Sequence, residues 1–325
     1  MGRTQQTLLV AFAVMIALGA AHEASGQAFP AKPIRVVTSA PGGANDIAIR
    51  VIGDKLKDSL GQPIVVENRG GASATVVAAQ AVTRATADGH TLLFYSNSLW
   101  TDSLLRGGKL FDPAADFAPI TMAVSSPNIV VVHPSTQVRS IKELIALAKS
   151  RPGDLDYSSG ALGSSNHLAA ELFRANAGVK VNRVGYRGTP PALNAVISGE
   201  VQLMFPVAAA ALPHLSGGRI RALAVTSPRP SVLAPGLPTV AASGLPGYES
   251  EMMMALFAPA ETPAPVLSLL AQEMAKVLRD PTVVQGLLKL SFEPIGSTPA
   301  QLVTAVRGEV SRLARVIKQA DIKAN

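Results

Sequence analysis

Ile34-Arg35-Val36-Val37-Thr38-Ser39-Ala40-Pro41-Gly42-Gly43-Ala44-Asn45-Asp46 reads as a short apolar strand, a Pro-Gly-Gly turn and the start of a helix. The helix is expected over 45–60, with Ile47, Val51, Ile52, Leu56 and Leu60 on one stripe and Gly61 as its stop. A strand that turns through glycines into a helix leaves backbone N–H groups facing outward at the carboxyl edge of a sheet. Those donors and the positive end of the helix dipole suit a carboxylate or phosphate. Gly42 and Gly43 serve a tight turn equally well, so this stretch alone decides only the local fold.

The same grammar recurs along the chain. Residues 63–67 form a second strand, and Gly70 to Thr75 lead a helix that runs to about Arg84. Residues 91–95 form a third strand, followed by the polar loop Ser96-Asn97-Ser98 with Trp100 just beyond. Prolines at 113 and 119 interrupt the pattern before a strand over 120–124, and the chain crosses to a second unit near 125–128. There the strands are 129–133, 155–157, 181–185, 201–205 and 221–226. Ser140 and Glu143 form a capping box that opens one of the intervening helices. Prolines at 228, 230, 235 and 238 mark a return, followed by a strand over 252–258 and helices over 263–278, 281–290 and 299–319. Alternating strands and helices at this spacing predict two α/β domains, each a mostly parallel sheet flanked by helices. The first domain is expected from 29–125 with 228–325, and the second from 126–227. Two crossings imply a hinge and a cleft, and open sheets of this kind bind ligands at the carboxyl ends of their strands.

Residues 1–28 read as a secretory leader: Arg3, then an apolar run from Leu8 to Leu18, then small residues up to Ala28. The mature chain is therefore expected in the periplasm, with roughly 300 residues, enough for two domains. The chain has no cysteine, and hence neither a lipid-anchored thiol nor a disulfide framework. Its formal charge of +7 favours acidic partners. Basic residues are scattered and aromatics are few, which argues against nucleic acid and for small anions or simple solubility.

Four loops hold the candidate chemistry: Pro41 to Asp46, Gly70 to Thr75 with Ser96 to Ser98, Gly160 to Asn166, and Tyr186 to Thr189. They supply backbone N–H groups, hydroxyls from Ser39, Ser73, Thr75, Ser164, Ser165 and Thr189, the amides of Asn45 and Asn97, and Arg187. That inventory is rich in donors and poor in general bases, which suits holding a carboxylate without reacting with it. Ser164 or Ser165 near His167 admits a hydrolase, but no Gly-x-Ser-x-Gly elbow is present. His167 is better read as capping or packing at its helix start. The five histidines are far apart and have no metal-binding spacing. Neither a Walker loop nor Gly-x-Gly-x-x-Gly occurs, so no cofactor is expected. Trp100 either lines the cleft or packs in the core, and Met252-Met253-Met254 reads as a buried strand.

Several motifs appear in one order along the chain. They are Phe29-Pro30-Ala31-Lys32-Pro33-Ile34, Pro41-Gly42-Gly43-Ala44-Asn45-Asp46 with Arg50, and Gly61-Gln62-Pro63-Ile64-Val65-Val66-Glu67-Asn68-Arg69. Asp88-Gly89-His90-Thr91, Gly163-Ser164-Ser165-Asn166-His167-Leu168-Ala169, Tyr186-Arg187-Gly188 and Gly244-Leu245-Pro246-Gly247-Tyr248 follow. Across the whole mature chain this resembles the Bug-type solute-binding proteins of tripartite tricarboxylate transporters. The resemblance implies a two-domain periplasmic binding protein fold (type II, a Venus flytrap). It would close on a small carboxylate and present it to a membrane permease, most simply as a monomer. The candidate ligand-binding set is then Ser39, Pro41, Gly42, Gly43, Ala44, Asn45, Asp46, Ser73, Ser96, Asn97, Gly163, Ser164, Ser165, Asn166, His167, Tyr186, Arg187, Gly188 and Pro206. Two departures stand out. Pro206 occupies a position where the family usually has an acidic residue, and the first loop lacks the usual second proline and third glycine. A sensor that docks on a signalling receptor, or less readily an exported hydrolase, are the competing readings.

Overall fold

The computed structural model describes residues 29–71, 73–107, 110–160 and 163–319. The leader expected over 1–28 lies outside the described residues, as do Ala72, Ala161 and Leu162 of the candidate loops. Strand β1 (Ile34–Thr38) turns into helix α1 (Ala44–Leu60), which ends at Gly61 in the left-handed region. The buried stripe of α1 is Ile49, Ile52, Leu56 and Leu60, while Ile47 and Val51 sit half-buried at its edge. The chain continues through β2 (Ile64–Asn68), α2 (Ala74–Thr83), β3 (Thr91–Ser96), α3 (Ser98–Leu105) and the long β4 (Phe117–Pro127). Strand β5 (Ile129–Val132) begins a second sheet. It is followed by α4 (Ile141–Ser150), β6 (Asp156–Ser159), α5 (Ser165–Ala177), β7 (Asn182–Gly185), α6 (Thr189–Ile197), β8 (Leu203–Met204), α7 (Ala208–Leu215) and β9 (Arg221–Val225). The chain ends with β10 (Glu251–Pro259), α8 (Ala264–Val277), α9 (Pro281–Lys289), β11 (Glu293–Pro294) and α10 (Pro299–Gln319).

The first sheet has six strands in the order β11-β4-β10-β3-β1-β2, and the second has five in the order β7-β6-β8-β5-β9. Helices cover both faces of each, so the strands are apolar on both sides. In the first sheet Val36, Phe94 and Leu256 face α1 and α8, while Val37, Tyr95 and Phe257 face α2, α3 and α10. The sheets are mixed rather than mostly parallel. β1 runs parallel to β2 and β3, and β6 runs parallel to β7 and β8. By contrast β4, β10 and β5 pair antiparallel with their neighbours. The reason lies in the crossings: the strand that leaves the first sheet and the one that returns to it lie side by side in opposite directions.

Residues beyond 228, which the sequence reading assigns to the first domain, contribute to both cores. Val240, Leu245 and Tyr248 are buried with the second sheet, as are Leu313 and Val316 near the end of α10. The return to the first sheet begins at Glu251, where β10 starts. The capping box holds in part: the Glu143 N–H donates to Ser140 Oγ at 3.2 Å, while the Glu143 carboxylate accepts from the Arg139 N–H at 2.7 Å.

Candidate functional site

The Pro-Gly-Gly loop at the end of β1 is held from within. Gly42 adopts φ +73°, and its N–H donates to Asp46 Oδ2 at 2.8 Å. Asp46 Oδ1 accepts from Asn68 Nδ2 at 2.8 Å and Arg50 Nε at 2.9 Å. Asn68 also donates to the Ser39 carbonyl at 2.8 Å, and Asn45 Nδ2 donates to Ser39 Oγ at 3.2 Å. Burial pushes the Asp46 carboxyl up, but its bonds from Arg50, Asn68 and Gly42 outweigh that and hold it below the usual carboxylate range. Asp46 is therefore a clamp on the loop, and its charge is already matched.

Gly43 is extended (φ −74°, ψ 163°) and caps α1 with no side-chain hydrogen bond. A Cβ on Gly43 would meet the Ala40 carbonyl at 3.1 Å and Ser39 Oγ at 3.3 Å, so close approach within the loop favours glycine here. Helix geometry leaves the N–H groups of Ala44, Asn45 and Asp46 without acceptors inside the helix, because the first intrahelical bond belongs to Ile47.

The second domain repeats the device at α5. Ser164 caps the helix with no side-chain bond to it, and Leu168 N–H is the first to find a carbonyl, that of Ser164. Asn166, nearly buried, ties three segments together. Its Oδ1 accepts from the Gly160 N–H at 3.1 Å and the Ser164 hydroxyl at 2.7 Å, and its Nδ2 donates to Thr189 Oγ1 at 3.1 Å. His167 is 2% exposed, and its Nδ1 accepts the Gly163 N–H at 3.0 Å, which places its own proton on Nε2. Burial, with the positive charge of Arg183, lowers its pKa to about 4, so the imidazole is neutral. Gly163 has φ +75°, and a Cβ there would lie 2.9 Å from Leu105 Cδ1 of α3, so the two domains touch at this loop.

Other candidates are turned elsewhere. Both amide hydrogens of Asn97 are committed, to the Glu251 carbonyl at 3.1 Å and Glu309 Oε1 at 2.7 Å. Trp100 is core, 2% exposed, and donates to Glu309 Oε2 at 2.7 Å. The Tyr186 hydroxyl donates to Glu200 at 3.0 Å. Ser96 pairs with Ser98 at 2.9 Å, and Ser73 caps α2 through its backbone alone. Pro206 is buried and gives its carbonyl to the Ile129 N–H at 2.8 Å. Arg187 is exposed, beside Gly188 with φ +112°.

The sequence reading missed Asn128 and Arg183. Asn128 is fully buried where β4 gives way to β5. It exchanges backbone and hydroxyl bonds with Thr226, donates Nδ2 to the Phe205 carbonyl at 2.5 Å and accepts from the Ser165 hydroxyl at 2.8 Å. Its only signal was a polar residue inside a strand-like run. Arg183 donates to Ser159 Oγ and to the Gly160 carbonyl, each at 2.7 Å, fixing the loop before α5.

A cavity of about 430 Å³ lies between the start of β10, α5 and α10. Glu249, Glu251 and Glu309 line it beside Arg229 and Arg312. The two uncapped helix starts and their loops are the candidate anion site.

Residues 48–322 match the family described as Tripartite tricarboxylate transporter family receptor. The chain is 34% identical over 320 residues to protein BugT of Bordetella pertussis, spanning 97% of this chain and 98% of that one. Among solved structures it is similar to R. palustris Rpa4515 with adipate, with a TM-score of 0.73 and 33% identity over 91% of this chain and 99% of that one. It is similar also to MatC from Rhodopseudomonas palustris with bound malate, with a TM-score of 0.69 and 28% identity over 89% and 100% of the two chains.

Proposed function

Since this chain belongs to the tripartite tricarboxylate transporter receptor family, and is thus a solute-binding protein rather than an enzyme, we propose that it captures a small carboxylate between its two domains. The ligand is a di- or tricarboxylate or an aromatic carboxylate, and the loaded protein delivers it in the periplasm to the permease of such a transporter. The leader exports it there. The observation that carries this reading is the pair of uncapped helix starts, α1 and α5, each following a loop held by its own internal bonds. Their N–H groups and dipoles favour an anion, and an anion between them stabilises closure by its differential affinity for the closed form. Adipate and malate in two of the similar solved proteins support a carboxylate of this size. Ser164 gives its proton to Asn166, and His167 Nδ1 is occupied by Gly163, so neither is set up as a nucleophile with its base.

The test is a thermal-shift screen of residues 29–325 against mono-, di- and tricarboxylates. A ligand at a hundredfold excess over its Kd adds about 2.7 kcal/mol of stability. A reproducible shift with intact ligand recovered supports the reading, and its loss in Asn166→Ala but not in Lys57→Ala places it at the α5 loop. No shift with any acid in the panel overturns it.

A further inference from the structure

Two buried asparagines decide which way the hydroxyl protons of the second domain point. The Phe205 carbonyl can only accept, so the amide nitrogen of Asn128 must face it, at 2.5 Å. Oδ1 is thereby turned to Ser165, whose hydroxyl proton is donated across 2.8 Å. The Gly160 N–H can only donate, so it fixes Asn166 Oδ1 toward itself, and the Ser164 hydroxyl, 2.7 Å away, also donates there. The remaining Asn166 Nδ2 donates to Thr189 Oγ1, which leaves the Thr189 proton free. In the loop that follows β1, Asn45 Oδ1 is buried with no donor among the described residues.

Ser164 and Ser165 therefore meet a ligand as acceptors only, beside helix N–H groups and the Thr189 hydroxyl, which are donors. A carboxylate oxygen suits the donors and is repelled by the acceptors. A ligand hydroxyl next to the carboxylate satisfies both at once.

We propose that this site selects hydroxy acids over the corresponding deoxy acids, with Ser165 accepting the ligand hydroxyl and Asn128 as the positioning residue that orients Ser165. This deepens the carboxylate-receptor reading and rests on it. Asn128 suits the role because it is wholly buried, its backbone N–H and carbonyl are both pinned by Thr226, and its amide cannot turn without losing the Phe205 carbonyl.

The experiment is calorimetric titration of residues 29–325 with matched pairs: malate and succinate, lactate and propionate, mandelate and phenylacetate. One hydrogen bond gained against an acceptor otherwise left to water predicts roughly three- to tenfold tighter binding of the hydroxy member. Ser165→Ala is expected to bring that ratio close to one. Asn128→Ala frees the Ser165 proton to meet a carboxylate, so the ratio is expected to fall while the deoxy acid binds more tightly than to wild type. A purely structural role for Asn128 would weaken both acids alike. Equal affinity for both members of every pair overturns the hydroxy-acid inference and leaves the carboxylate receptor standing. Absence of binding to every acid overturns both.

Discussion

At the scale of single residues, the site is built by side chains that hold loops rather than by side chains that reach for ligand. Asp46 satisfies the Gly42 N–H, Asn68 and Arg50 together, so Asp46→Ala leaves three donors without their acceptor. We expect this variant to lose about 1–3 kcal/mol in denaturant titration and to bind carboxylate more weakly. A full-stability variant would show that the clamp is dispensable. Gly42 and Gly43 separate two reasons for glycine. A Cβ on Gly42 meets nothing within 4 Å, so Gly42→Ala costs only its left-handed conformation, about 1–2 kcal/mol. Gly43→Ala has ordinary φ and is opposed instead by the Ala40 carbonyl, so its cost is read as a displaced loop and weaker binding. His167, neutral in the fold with a pKa of about 4 against an ordinary 6.5, makes a pH prediction. Its folded pKa is depressed, so its contribution is present above pH 6.5 and is lost as pH falls toward 4. In His167→Asn, whose side chain does not titrate, the stability lost between those pH values should shrink, and an NMR titration of His167 should show a midpoint near 4.

At the scale of elements, the sequence disclosed what local chemistry controls. The β1 strand, the glycine turn, α1 with its Gly61 stop and the Ser140 cap all follow from periodicity and caps, and all are in the fold. Two helices were not legible. The polar run Ser96-Asn97-Ser98 reads as loop, yet α3 starts inside it because Leu99 and Trp100 are drawn into the core. α7 carries Pro213 within an alanine-rich stretch between two expected strands, where no helix was expected. Strand direction was also hidden, since β4 and β10 owe their antiparallel pairing to the crossings and not to their own residues. The same limit applied to the site. The loops were readable, but the use of Asn97 depends on Glu309, far along the chain, and the use of Ser165 depends on Asn128. The Gly163 turn shows an element-scale consequence. Gly163→Val adds a strained left-handed residue and a clash with Leu105, so it should hold the α5 loop off α3. Carboxylate affinity should then fall by more than fivefold while the melting temperature moves by only a few degrees. An unchanged Kd would mean that closure does not bring these two elements together.

At the scale of the molecule, α10 ties the two cores to each other. Its Glu309 accepts from Asn97 and Trp100 of the first domain, its Leu313 and Val316 are buried with the second, and its Arg312 pairs with Glu249 on the returning segment. The 430 Å³ cavity lies within this junction, and two of its carboxyls are far from their ordinary state. Burial, reinforced by Glu293 and Glu249 against Ser125 and Arg229, pushes Glu251 up to about 7. Burial also pushes Glu309 up to about 7, with Glu251 acting in the same direction and Asn97, Trp100 and Arg312 against it. In the unfolded chain both ionise near 4.5. A raised folded pKa means that their favourable contribution is complete below 4.5 and is lost as pH rises to about 7. The window overlaps that of His167 with the opposite sign, so the wild-type profile alone does not separate them. Glu251→Gln mimics the protonated group at every pH. Its melting temperature should match wild type near pH 4.5 and exceed it increasingly up to pH 8, where the wild-type carboxylate is forced to ionise inside the junction. A gain that is the same at both ends of that range would mean that Glu251 is destabilising for its shape and not for its charge.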